Sequence, residues 1–177
     1  PWPWNTINCS VSKPSLHFQP PPGATTTLDI INTNQTVDWG SKLGEEVARN
    51  QLQQAGITIN HTNPCPIGVG YQDVPGGCTS LDGVKKSTIE KAIQLKNKCQ
   101  CALEVSGGTE LGHTEGDTSH ASGNKLDFIS NSVLEQYIVN NFTYSGLRTG
   151  GAKLYKAPDG SIYARELTHW DVTFTGL

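Results

Sequence analysis

Three of the five histidines in this 177-residue chain fall in two short stretches that also carry carboxylates. The first is Ser106-Gly-Gly-Thr-Glu-Leu-Gly-His113, continuing through Thr118-Ser119-His120 to Asp127. The second is Glu166-Leu-Thr-His169-Trp170-Asp171. Two imidazole nitrogens and one carboxylate oxygen form an ordinary three-ligand set for catalytic zinc, which keeps its fourth position open for water. His120 is expected on a loop and Asp127 on the strand after it. Gly123 would let the intervening chain turn back so that the two side chains converge. His169 completes the set from the far end of the chain. Glu166, three residues before it, is placed to take a proton from the metal-bound water as general base.

The neighbouring groups fall into lesser roles. His113 is a candidate active-site residue, because the loop from Leu111 to Thr118 should run beside the metal. Asp171 is a candidate to orient a ligand histidine from behind. Glu115 and Asp117 read as solvated loop charges. His17 and His61 lack a carboxylate at ligand spacing and read as structural or exposed. No Gly-x-Ser-x-Gly elbow is present, so the serines and histidines do not suggest a serine hydrolase.

His120-x-x-Gly123-x-x-x-Asp127, followed by Glu166-x-x-His169-Trp170, resembles the zinc D-Ala-D-Ala peptidases and L-alanyl-D-glutamate endopeptidases, whose fold is shared by hedgehog signalling domains. The family pattern is Ser-x-His-x-x-Gly-x-Ala-x-Asp, then Glu-x-x-His before an aromatic residue. The resemblance covers Ser106 to Phe128 and Glu166 to Trp170. It implies a hedgehog/DD-peptidase-like fold, zinc on His120, Asp127 and His169, and Glu166 as catalytic base. It further implies hydrolysis of peptide bonds, with peptidoglycan stem peptides as substrate. The chain departs from the pattern at Lys125, which stands at the alanine position, and at Ser119, which directly precedes His120. Thr109-Glu110 stands where the family often has an arginine. His113, Arg148 and Arg165 remain alternatives for stabilising the oxyanion.

The elements that must position these groups can be read from periodicity. Leu43, Val47, Leu52 and Ala55 outline a helix stopped by Gly56, and Ile57-Thr58-Ile59 is a short strand. Leu81, Val84, Ile89, Ile93 and Leu95 outline a second helix. Ala102 to Ser106 and Leu126-Asp127-Phe128 read as strands. Ser130 is the expected N-cap of a third helix with Val133, Leu134, Tyr137 and Ile138 facing inward. Ala152 to Tyr155 and Ser161 to Ala164 flank Pro158-Asp159-Gly160, a hairpin signal, and Trp170 to Phe174 alternates as a last strand. The class is α+β, a small antiparallel sheet with flanking helices. Residues 1–37 read as a Pro-rich N-terminal arm, with a strand at Leu28 to Ile31, and 38–177 as the zinc peptidase-like domain. Trp2 and Trp4 could pack on that domain or mediate self-association.

Composition bounds the partners. Charged residues make up 16% of the chain, against roughly 25% in an average soluble protein. The net charge is −3, with no basic block to suggest nucleic acid and no apolar run to suggest membrane insertion. Uncharged polar residues, five cysteines, the lack of methionine and sequons at Asn8, Asn34, Asn60 and Asn141 point to a processed, secreted, extracellular protein. Cys65 and Cys78 are expected to close a Gly/Pro-rich loop. Cys9 is expected to pair with Cys99 or Cys101, leaving the other free. The alternative to an enzyme is a zinc-containing binding or structural module on a cell surface or in an extracellular assembly.

Overall fold

The computed structural model describes residues 41–175. The N-terminal arm, its expected strand, Trp2, Trp4, His17 and Cys9 lie outside them, as do the sequons at Asn8 and Asn34. Within the described residues the class is α+β: three helices and a seven-stranded sheet, with a separate two-stranded ribbon.

The first ribbon strand is β1 (Lys42–Leu43). Helix α1 (Glu45–Gln54) begins with two acidic residues, which suit the positive end of its dipole. It ends at Gly56, whose φ of +72° carries the chain out of the helix. Its buried face is Ala48 and Leu52, whereas Val47, expected inside, is 50% exposed. The apolar stripe is therefore rotated by one position toward a residue small enough for close packing. β2 (Thr58–Ile59) follows, then the cysteine loop, then β3 (Val84–Lys85), which pairs antiparallel with β1. Leu81 and Val84 are buried before α2 (Lys86–Cys99) begins, so this helix starts later than its apolar pattern suggests.

The large sheet is completed by β4 (Glu104–Gly107), β5 (Lys125–Ile129), β6 (Thr143–Leu147), β7 (Lys153–Lys156), β8 (Ile162–Arg165) and β9 (His169–Thr173). Its spatial order is β2-β4-β5-β9-β8-β7-β6. Every pairing is antiparallel except β2 with β4, which is parallel. The sheet is thus larger than expected and not wholly antiparallel. Helix α3 (Ser132–Asn141) enters from β5. Its N-cap is Asn131, whose side chain accepts a hydrogen bond from the Leu134 N–H at 2.9 Å; the hydroxyl of Ser130, the expected cap, is buried and makes no hydrogen bond. Leu134 and Ile138 face inward, but Val133 is 53% exposed.

Side chains alternate across a strand. On β5 and β9 one set, Leu126, Phe128, Trp170 and Val172, is fully buried in the core together with Leu52, Ile89 and Leu134 of the helices. The other set, Lys125, Asp127, His169 and Asp171, belongs to the opposite face, and that face carries the candidate site.

Two disulfides join described residues. Cys65–Cys78 closes the Gly/Pro-rich loop as expected. The second corrects the expected Cys9 pairing: Cys99 bonds to Cys101, so neither is free. Gln100 between them adopts a left-handed conformation (φ +49°) that ends α2 and folds the chain back, leaving the two Cα atoms 5.1 Å apart. A local pairing then satisfies both thiols without any long-range partner.

Candidate metal centre

β5 and β9 are neighbours in the middle of the sheet, with Asp127 opposite Asp171 and Ile129 opposite His169. Two carboxylates facing each other across an antiparallel pair repel, so this register requires counter-charge. Lys125 supplies it, with its Nζ 3.0 Å from both oxygens of Asp171. Arg148, at the end of β6, adds a hydrogen bond to Asp171 at 2.8 Å and a second one to the Glu166 carboxylate. Burial alone would raise the Asp171 pKa, but the Arg148 and Lys125 contacts outweigh it and hold the carboxyl below its ordinary range. Asp171 thus anchors the two cations beside the site.

His120 lies in the loop between β4 and β5. Gly123, three residues on, has φ +82°, and a Cβ there would collide with the Gly83 carbonyl, so the turn that returns the chain to Asp127 depends on glycine. The buried His120 ring places Nδ1 2.7 Å from the Gly108 carbonyl oxygen. Donation to that acceptor fixes the tautomer with a lone pair on Nε2, as a carbonyl behind a metal-bound histidine does. Nε2 sits 3.4 Å from Asp127 Oδ1. Burial pushes the imidazole pKa down, but the Asp127 carboxylate and the Gly108 carbonyl more than compensate and hold it above its ordinary value.

Asp127 Oδ1 is buried and makes no hydrogen bond, a situation that costs about 1–3 kcal/mol unless a cation or donor relieves it. The other oxygen, Oδ2, lies 3.9 Å from His169 Nε2. Ligand atoms on a tetrahedral zinc are about 3.3 Å apart, given bond lengths near 2 Å. His120 and Asp127 already stand close to that separation, whereas His169 approaches only the other Asp127 oxygen, at 3.9 Å. A buried carboxylate with one unbonded oxygen beside the His120 Nε2 fits a metal cation.

His113 lies against the same group. Its ring stacks between Tyr71, at 5.3 Å, and His120, at 3.9 Å and 18° from parallel. His113, His120 and Asp127 each offer a donor atom within 4.8 Å of one another and could hold a metal ion. His113 Nε2 is 3.0 Å from Glu110 Oε1, a contact that, like the Gly108 carbonyl at His120, leaves the other ring nitrogen for a metal. His169, the third ligand that the motif resemblance implies, is not part of this close group.

Glu166 leaves β8 and His169 opens β9, so the Glu-x-x-His spacing spans one hairpin turn, closed by the Glu166 N–H bond to the His169 carbonyl at 3.0 Å. Together His113, His120, Asp127, Glu166 and His169 line one cavity of about 580 Å3, along with Lys125, Arg148 and Asp171. Of the arginines left open by the sequence, Arg148 lines this cavity. Arg165 does not: it bonds Glu135 and lies over the Trp170 ring at 5.5 Å.

Sequence reasoning missed Glu110. This buried carboxylate accepts hydrogen bonds from the backbone N–H groups of Ser80 and Gly108 and also engages His113. Burial would raise its pKa, yet these bonds hold it lower than usual. Its position three residues before His113 was the available signal.

Comparison of the chain with known protein families, characterised proteins and solved structures finds no match in any of the three. Among the described residues no helix is long and apolar enough to cross a membrane. The two disulfides are compatible with an extracellular protein.

Proposed function

We propose that the protein is a secreted zinc metallopeptidase of the D-Ala-D-Ala carboxypeptidase-like type, acting on peptide bonds of peptidoglycan stem peptides. The observation that carries this reading is the unbonded Asp127 Oδ1 beside His120, with His169 near the other carboxylate oxygen and Glu166 on the same cavity wall. The motif resemblance supports the substrate class. Bound zinc would polarise the scissile carbonyl and acidify a water molecule in its open position. Asp127, His120 and His169 would hold the ion. Glu166 takes a proton from the attacking water on its carboxylate and returns it to the leaving amine nitrogen. Arg148 hydrogen-bonds and orients Glu166 and reaches the cavity as a donor for negative charge developing on the carbonyl oxygen.

The rival, a metal-containing binding module, draws on the same Arg148–Glu166 contact, since a carboxylate engaged by arginine is also what a non-catalytic site would show. The Glu166→Ala protein separates them. It is expected to keep about one zinc per chain by mass spectrometry while hydrolysis of peptidoglycan fragments falls roughly 10²–10⁴-fold. Undiminished hydrolysis would remove Glu166 as base. A zinc-loaded wild type that cleaves nothing would favour the binding module.

A further inference from the structure

On the other side of the domain, Asn141 ends α3 and opens the sequon Asn141-Phe142-Thr143. Asn141 and Thr143 are both exposed. The Asn141 side-chain nitrogen donates to the Tyr137 carbonyl at 2.8 Å, which uses only one of its two hydrogens. Asn141 also sits on the rim of two concave surfaces. One is a cavity of about 450 Å3 bounded by α2, the end of α3 and the β7–β8 hairpin, with Tyr137, Phe142 and Tyr163 among its walls. The other, of about 420 Å3, adjoins it at Asn141 and Pro158.

The first cavity is equipped for a sugar. Phe142 packs against both Tyr137 and the buried Tyr163, at 5.6 and 4.7 Å; the half-buried Tyr137 and Phe142 offer the aromatic surface for the C–H face of a pyranose. Gln94, Lys98 and Asp159 supply polar groups at its edge. Tyr163 is only 3% exposed, and its hydroxyl makes no hydrogen bond among the described residues. Burial, together with Asp159 and Tyr137, pushes that hydroxyl far above its ordinary pKa, so it remains a neutral donor. Asn60, the other exposed sequon asparagine among the described residues, lies past the end of β2 and lines neither surface.

We propose that Asn141 carries an N-linked glycan whose first N-acetylglucosamine seats in the Tyr137–Phe142–Tyr163 cavity, so that the sugar is packed as part of the fold. The donor is a lipid pyrophosphate-linked oligosaccharide. The Asn141 side-chain nitrogen forms the bond to the sugar C1, the C1–oxygen bond to the lipid pyrophosphate breaks, and the amide gives up the hydrogen not used by Tyr137. The remaining N–H keeps the bond to the Tyr137 carbonyl. This inference is independent of the metal centre.

The test uses the full chain, as wild type and as Thr143→Ala, which removes the sequon without touching Asn141. Each is produced in a secreting eukaryotic host that adds N-glycans and in a bacterial periplasm, which forms disulfides and adds none. Glycopeptide mass spectrometry is expected to find N-acetylglucosamine on Asn141. The glycosylated wild type should melt about 3 °C above its bacterial counterpart, a gap that Thr143→Ala narrows correspondingly. Endoglycosidase trimming to one sugar should preserve the gap. An unmodified Asn141 in the secreted protein would overturn the proposal. So would a gap equal in wild type and Thr143→Ala, or one lost on trimming to the first sugar.

Discussion

The choice between His169 and His113 as third ligand can be decided by zinc-dependent melting of three proteins: wild type, His169→Ala and His113→Ala. Stripped of metal by chelation, the wild type retains the buried, unbonded Asp127 Oδ1 beside His120, with His169 3.9 Å from the other oxygen. Free zinc at about a thousand times its dissociation constant stabilises the native state by about 4 kcal/mol. For a chain of this size that raises the melting temperature by roughly 10 °C. His169→Ala removes a donor 3.9 Å from Asp127 Oδ2. Losing even an outer-shell partner weakens zinc sites by about 10–100-fold, so a lost ligand should exceed about 100-fold and erase roughly 7 °C of the rise. His113→Ala removes a ring that stacks on His120 and is held by Glu110, so its effect should stay below about tenfold. The reasoning fails if the order reverses, with His113→Ala abolishing the rise and His169→Ala keeping it. A wild type that zinc does not stabilise would refute the metal centre altogether.

Two further outcomes follow from two hydrogen-bonded carboxylates, buried Glu110 and exposed Asp159. Glu110→Ala leaves the Ser80 and Gly108 N–H groups without their acceptor, and should lower unfolding free energy in urea by about 3 kcal/mol; a loss under about 0.5 kcal/mol would show that water takes over its role. Asp159 sits in the β7–β8 turn, where burial would raise its pKa but Ser161 and Lys91 bring it below the ordinary value. A lowered folded pKa contributes stability that is present above the unfolded value of about 3.9 and disappears as pH falls through the folded one. Asp159→Asn should therefore be less stable than wild type near pH 6, with the difference shrinking toward pH 2.5 in thermal melts. A pH-independent difference would assign the Asp159 contribution to something other than its charge.

Two approaches among the nominated residues were legible because each depends on a short chain segment. The His120–Asp127 approach is set by one glycine turn and the Glu166–His169 approach by one hairpin. The cations that make the site tolerable were not legible. Lys125 stood out only as a departure from a motif, and Arg148 reaches Asp171 across 23 residues of sequence. Strand β6 escaped because nearly all of Thr143–Leu147 is exposed at the sheet edge, leaving no alternation to read. Helix faces were misjudged by one residue where a small alanine, Ala48, is buried in preference to the larger Val47. Cys99 and Cys101 defeated spacing arguments because their bond relies on a left-handed Gln100, a conformation rare for residues other than glycine.

The division of the central sheet into two faces gives this protein a simple mutational grammar. Along β5 and β9, even-numbered positions (126, 128, 170, 172) serve packing, and odd-numbered ones (125, 127, 169, 171) serve the site. Selection can therefore act on the two sets almost separately. A library confined to odd positions would explore new ligand sets and substrate charges above an unchanged core. Substitutions confined to even positions would tune thermal tolerance beneath an unchanged site. A lineage could thus abandon its chemistry yet keep its scaffold, or harden its scaffold yet keep its chemistry.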